Sequence, residues 1–76
     1  MGTMYIAVDF DGTLVDHQFP DIGKEVPGAF KWLLWFQEHG AKLILWTMRS
    51  GQSLDEAVEY CRQKGVEFYA VNGNPS

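Results

Sequence analysis

Three short apolar runs separated by two amphipathic segments set the outline of this chain. Met4 to Val8 is continuously apolar, the pattern of a strand covered on both faces in a parallel sheet, and it stops at Asp9. Thr13 to Val26 shows no helical period and, with Pro20, Gly23 and the following Pro27 as punctuation, is predicted to be a loop or small flap. A helix is predicted from near Pro27, whose missing N–H suits a first helical position, to Gly40 as the residue after the C-cap. Ala29, Phe30, Leu33 and Leu34 make its apolar stripe. Trp32, Trp35 and Phe36 widen that stripe beyond one face, which predicts burial on more than one side. Leu43 to Trp46 is a second apolar strand ending at Thr47. In the next segment Ser53 and Glu56 read as a capping box, Leu54, Ala57, Val58 and Cys61 fall at i, i+3, i+4 and i+7, and Gly65 closes the helix. Val66 to Val71 reads as a third, edge strand, with Glu67 on one face and Phe68 and Ala70 on the other. The order βαβαβ predicts an α/β fold with a parallel sheet. Right-handed crossovers in one direction would place both helices on the same face, leaving the other bare and the first strand at an edge.

The 76 residues make a single domain, 1–76, of a size that buries roughly 60% of its unfolded surface. Hydrophobic residues at 46% supply a core and argue against disorder. The formal charge of −4, without a Lys/Arg cluster, gives no footprint for nucleic acid or an anionic membrane. The single cysteine, Cys61, excludes an internal disulfide and suits a reducing compartment. No apolar run approaches the ~20 residues of a membrane span, and the N-terminus lacks a signal-peptide pattern, so a cytoplasmic location is expected.

Sites in parallel α/β sheets form outside the carboxyl ends of the strands. Here those ends carry "DFDGT", "TMRSG" and "NGNPS", which puts Asp9, Asp11, Thr47 and Asn72 on one rim. Two carboxylates two residues apart can address one spot, with Gly12 freeing the backbone to turn. A calcium loop counted from Asp9 fails, because Leu14 stands where glycine is needed and Pro20 where glutamate is needed. Arg49 reads either as a phosphate contact or as a solvated loop residue, Asn72 and Asn74 as turn residues, and His39 as a partner of its helix terminus.

"DFDGT" after an apolar strand resembles the first signature of the haloacid-dehalogenase-like (HAD) phosphohydrolases, and "LILWT" resembles their second. The resemblance runs from Tyr5 to about Asn72. It implies a three-layer Rossmann-like (HAD-like) sheet, present here as a truncated or minimal βαβαβ unit. It further implies a magnesium-dependent phosphatase acting on a small phosphate monoester through an aspartyl-phosphate, with Asp9 as nucleophile and Asp11 as general acid and then base. By the same resemblance Mg2+ would be held by Asp9 and the main-chain carbonyl of Asp11. Phosphate would be cradled by Thr47 and by amides near Phe10, Asp11 and Met48. The residue types suit the chemistry, since phosphoryl transfer is chiefly positioning and charge stabilisation, and magnesium prefers a few carboxylates with phosphate and water. A carboxylate close to another is expected to hold its proton more tightly and so serve as an acid.

The family's later lysine and distal acids have no counterpart before Ser76, and Lys64, at the far end of the second helix, is not that lysine. The flap is too short for a cap domain. The bare sheet face suggests a homo-oligomer. A non-catalytic interaction or assembly module, and a phosphotransferase, are the alternative functions.

Overall fold

The computed structural model describes residues 2–73; Asn74, read above as a turn residue, lies outside the described residues. The elements run β1 (Tyr5–Asp9), α1 (Ala29–Glu38), β2 (Lys42–Trp46), α2 (Gly51–Gln63) and β3 (Phe68–Val71). The sheet order is β1-β2-β3 with both pairs parallel, the βαβαβ unit that the hydrophobic pattern predicts. Tyr5 lies opposite Lys42 and Asp9 opposite Trp46. That register brings the carboxylate ending β1 level with the last residue before Thr47.

One face of the sheet, carrying Val8, Leu43 and Leu45, packs with Phe30 and Leu33 of α1 and Ala57 and Cys61 of α2. Phe10, Leu14, Val15 and Val66 complete this core. Each large side chain fully enclosed in it, such as Leu45, contributes roughly 1.5–3 kcal/mol. On the other face Ile44 is buried at the centre, but Tyr5, Trp46 and Tyr69 are exposed. The Tyr5 and Tyr69 rings meet at 5.6 Å, and Lys42 lies over Tyr69. The described residues thus form two of the three layers that the resemblance implies, with β1 at an edge.

Several boundaries differ from the sequence reading for local reasons. α1 starts at Ala29, not Pro27, because Gly28 occupies the N-cap with φ of +83° and the Ala29 N–H closes a turn onto the Val26 carbonyl. α2 starts at Gly51 behind an extended Ser50, so Ser53 is not its cap; the Ser53 hydroxyl instead donates to the Ser50 carbonyl at 2.9 Å. Both helices end as predicted, at Gly40 and Gly65. Each closes with the paired bonds of a Schellman motif: Gly40 N to Gln37 O with Ala41 N to Phe36 O, and Gly65 N to Arg62 O with Val66 N to Cys61 O.

The second closure takes Val66 into the core as the residue after the glycine, so β3 begins at Phe68 rather than Val66. A register shift then places Phe68 opposite Leu43 but Ala70 opposite Ile44. This bulge puts Phe68 and Ala70 on opposite faces, where strict alternation predicts one face. The widened stripe of α1 does not bury its tryptophans either. Trp32 is 68% and Trp35 54% exposed, both edge-on to Phe36, because the sheet covers only the Phe30 and Leu33 side.

The flap between β1 and α1 is held by backbone pairing. Val15, fully buried, bridges both Asp11 and Glu25. The Asp16 N–H bonds the Lys24 carbonyl at 2.7 Å and the Val26 N–H bonds the Leu14 carbonyl at 2.9 Å. Gly23 lies so close to this pairing that a Cβ there would run into the Asp16 carbonyl oxygen.

Candidate active site

β1 delivers Asp9 to the carboxyl edge with its side chain on the exposed side, where Oδ1 accepts the Phe10 N–H at 2.9 Å. Phe10 then turns inward and is wholly buried. Its carbonyl gathers the N–H groups of Thr13, Leu14 and Val15 at 3.2, 2.9 and 3.3 Å. The reversal passes through Gly12 at φ +86°, a conformation that strains any residue with a Cβ. The turn is therefore pinned at Phe10, and Asp9 and Asp11 remain on its outer side. Together with His17, Phe19, Met48 and Arg49 they line a cavity of about 460 Å³.

Thr47 follows the β2 residue opposite Asp9. Its N–H is held by Asn72 Oδ1 at 2.8 Å, and its hydroxyl oxygen accepts the Arg49 N–H at 3.1 Å. The hydroxyl proton stays available to an acceptor. Asn72 is more than a turn residue: at φ +51° it ties the ends of β2 and β3, with its own N–H on the Leu45 carbonyl at 2.7 Å. Met48 is fully exposed, and its N–H meets no acceptor among the described residues. Of the amides expected to cradle phosphate, that of Phe10 is already engaged by Asp9.

Arg49 is not the solvated loop residue that one of its sequence readings offers. It is 2% exposed, and its guanidinium grips Asp11 bidentately, Nε to Oδ2 and Nη2 to Oδ1, each at 2.8 Å. The hydrogen bond from Arg49 holds the Asp11 carboxyl below the usual carboxylate range, with partial burial opposing it. That direction is opposite to the one expected from crowding with Asp9. A pair 38 residues apart in the chain leaves no periodic trace, and no sequence signal marks it. Lys64 bonds Glu25 at the base of the flap at 2.8 Å, and His39 Nδ1 meets the Trp35 carbonyl at 2.7 Å, as its position at the helix terminus predicts.

The oxygens that could hold a metal are Asp9 Oδ1, which takes only the Phe10 N–H and keeps a lone pair, and the Asp11 carbonyl, which has no protein partner among the described residues; the second Asp9 oxygen is left free. Such hard donors fit magnesium, which takes one or two carboxylates and fills its shell with water and phosphate. Among the described residues no three His, Cys, Asp or Glu side chains gather into a metal cage.

No protein-family model matches the chain, and no curated protein matches it. A solved structure of a conserved protein from Bacteroides thetaiotaomicron superposes with a TM-score of 0.89 at 54% identity, over 93% of this chain. The match covers 59% of the Bacteroides chain, so the present chain spans under two thirds of that protein's length. At this likeness the α/β architecture is shared. Among the described residues no helix is long and apolar enough to cross a membrane.

Proposed function

We propose that the chain carries the front half of a magnesium-dependent, HAD-like phosphohydrolase site that acts on phosphate monoesters in the cytoplasm. The observation that carries this reading is the exposed Asp9 carboxylate, one oxygen anchored and one free, in an open cavity and opposite the strand residue that precedes Thr47. In this reading the free Asp9 oxygen attacks phosphorus, the ester oxygen departs, and an aspartyl-phosphate forms. Thr47 donates its hydroxyl proton to a phosphoryl oxygen, and the Met48 N–H offers a second donor. Water then attacks phosphorus, Asp11 takes its proton, and inorganic phosphate leaves Asp9. Bound magnesium would supply the positive charge that lets an anionic carboxylate approach an anionic phosphate.

Because Arg49 keeps Asp11 ionised, the residue enters the first step without a proton to give the leaving oxygen. Esters whose alcohol leaves as a stable anion, such as aryl phosphates, are then the faster substrates. Phosphate release from an aryl phosphate is expected with magnesium and is expected to be lost in Asp9→Asn. Absence of turnover in both proteins, with magnesium and in any assembled form, would overturn the reading.

One set of observations favours a second reading, an assembly module. Trp32 and Trp35 on α1, and Tyr5, Trp46 and Tyr69 on the bare sheet face, are large apolar groups left exposed. A module of this kind would give a stable oligomer that Asp9→Asn does not alter.

A further inference from the structure

Arg49 is the only buried charged side chain among the described residues, and all its donors are engaged. Besides the two bonds to Asp11, Nη2 reaches the Asp21 carbonyl at 2.8 Å, and Nη1 reaches the carbonyls of Pro20 at 3.2 Å and Ser53 at 3.3 Å. A guanidinium has five N–H donors, and here five bonds fan out to three segments of chain. Its carbon lies 5.1 Å from the Phe10 ring centroid and 5.2 Å from that of Phe19. With no N–H left to offer, Arg49 is poorly suited to bind an incoming phosphate itself.

We infer that Arg49 is the positioning residue of this rim: one guanidinium fixes the Asp11 carboxylate and clamps the flap through the Pro20 and Asp21 carbonyls, so that Asp11 and the cavity wall bearing His17 and Phe19 move as one body. The consequence for turnover rests on the phosphohydrolase reading; the clamp rests on geometry alone. Lysine cannot replace this fork, because an ammonium is a point charge on a flexible stem without fixed bidentate geometry.

Hydrogen exchange in the unmodified protein tests the clamp first. The Asp16 and Val26 amides report the flap, and the Arg49 Nε–H reports the guanidinium. If the clamp holds, all three exchange through one opening and respond together to low urea. Flap amides exchanging about 100-fold faster than the Arg49 Nε–H would overturn it. In Arg49→Lys, flap protection should fall about tenfold or more while the central strand keeps its protection. Turnover of an aryl phosphate should lose about 100-fold in kcat, with little change in KM, the pattern of a displaced reacting group. Arg62→Lys, which alters an exposed pair with Glu59, should change neither. An unchanged flap in Arg49→Lys overturns the proposal, and if that variant does not fold, the exchange of the parent decides. Coupled exchange without turnover in any protein removes the phosphohydrolase reading and leaves the clamp; uncoupled exchange with magnesium-dependent turnover does the reverse.

Discussion

Asn72 joins the two strand ends behind the candidate site, and its replacement has a size that follows from the structure. Asn72→Ala removes the acceptor of the Thr47 N–H, a loss of about 0.5–1.5 kcal/mol for an ordinary hydrogen bond. It also places a residue with no local polar compensation at φ +51°, which adds about 1–2 kcal/mol. The sum is about 1.5–3.5 kcal/mol, against a stability of roughly 4–11 kcal/mol for a chain this long. With a urea slope of about 1 kcal/mol/M, the unfolding midpoint should fall by about 1.5–3.5 M. Asn72→Asp keeps an oxygen acceptor and tolerates the left-handed backbone, so its midpoint should stay within about 0.5 M of the parent. The assay is equilibrium urea unfolding followed by tryptophan fluorescence for all three proteins. If Asn72→Ala unfolds with the parent, the link between β2 and β3 carries no weight. If Asn72→Asp falls as far as Asn72→Ala, an oxygen acceptor at this position is not what holds the Thr47 N–H.

Two further outcomes rest on ionisation. The Cys61 thiol is fully buried, and burial pushes its pKa up to about 12. At pH 8 it should resist iodoacetamide in the folded protein and alkylate once urea unfolds the chain; rapid alkylation without denaturant would contradict the packing. The Asp11 pKa is depressed in the folded state, so the pair with Arg49 stabilises the protein above the ordinary carboxylate pKa and loses that contribution as the pH falls through the folded value. The stability gap between the parent and Asp11→Asn, read by urea unfolding, should therefore be open at pH 7 and close below about pH 4; a gap that persists unchanged at pH 2 would refute the ion pair.

What could be read from the sequence were the features set by neighbours along the chain. Continuous apolar runs gave the strands, and the glycines at 40 and 65 gave the helix ends, because a left-handed residue after a helix is a local event. The turn at Asp9 to Gly12 belongs to the same class. Reading failed where two local signals compete or where distant groups decide. Ser53 looks like a cap until Ser50 starts the helix earlier, and Val66 looks like strand until the Schellman closure draws it into the core. Arg49 was illegible because its partners come from the turn after β1, the flap and the start of α2. The exposure of Trp32 and Trp35 was hidden for the opposite reason: composition shows how much apolar surface a helix carries, not how many layers are there to cover it.

Charge at the rim ties these observations to the chemistry. Two carboxylates and one guanidinium line the cavity, and the guanidinium is paired with Asp11. Asp9 is thus left as an uncompensated negative charge facing any phosphate that enters. Two like unit charges at about 4 Å repel by about 4 kcal/mol in a partly solvated site. A dianionic ester roughly doubles that figure. Lys64 offers no relief, since it is bonded to Glu25 at the base of the flap. Among the described residues, then, the cavity holds no free Lys or Arg to offset the approach. A working site on this rim needs positive charge from elsewhere, either a metal ion held by Asp9 Oδ1 and the Asp11 carbonyl or a cation carried by further polypeptide. The same exposed aromatic surface that favours assembly is where such polypeptide would sit. Two fifths of the Bacteroides protein lie outside the match, enough chain for that purpose in that protein. The magnesium arm of the phosphate-release assay separates the two sources. Turnover that appears with magnesium places the compensating charge in the metal. Turnover that stays absent with magnesium and appears only in an assembled form places it in the partner polypeptide.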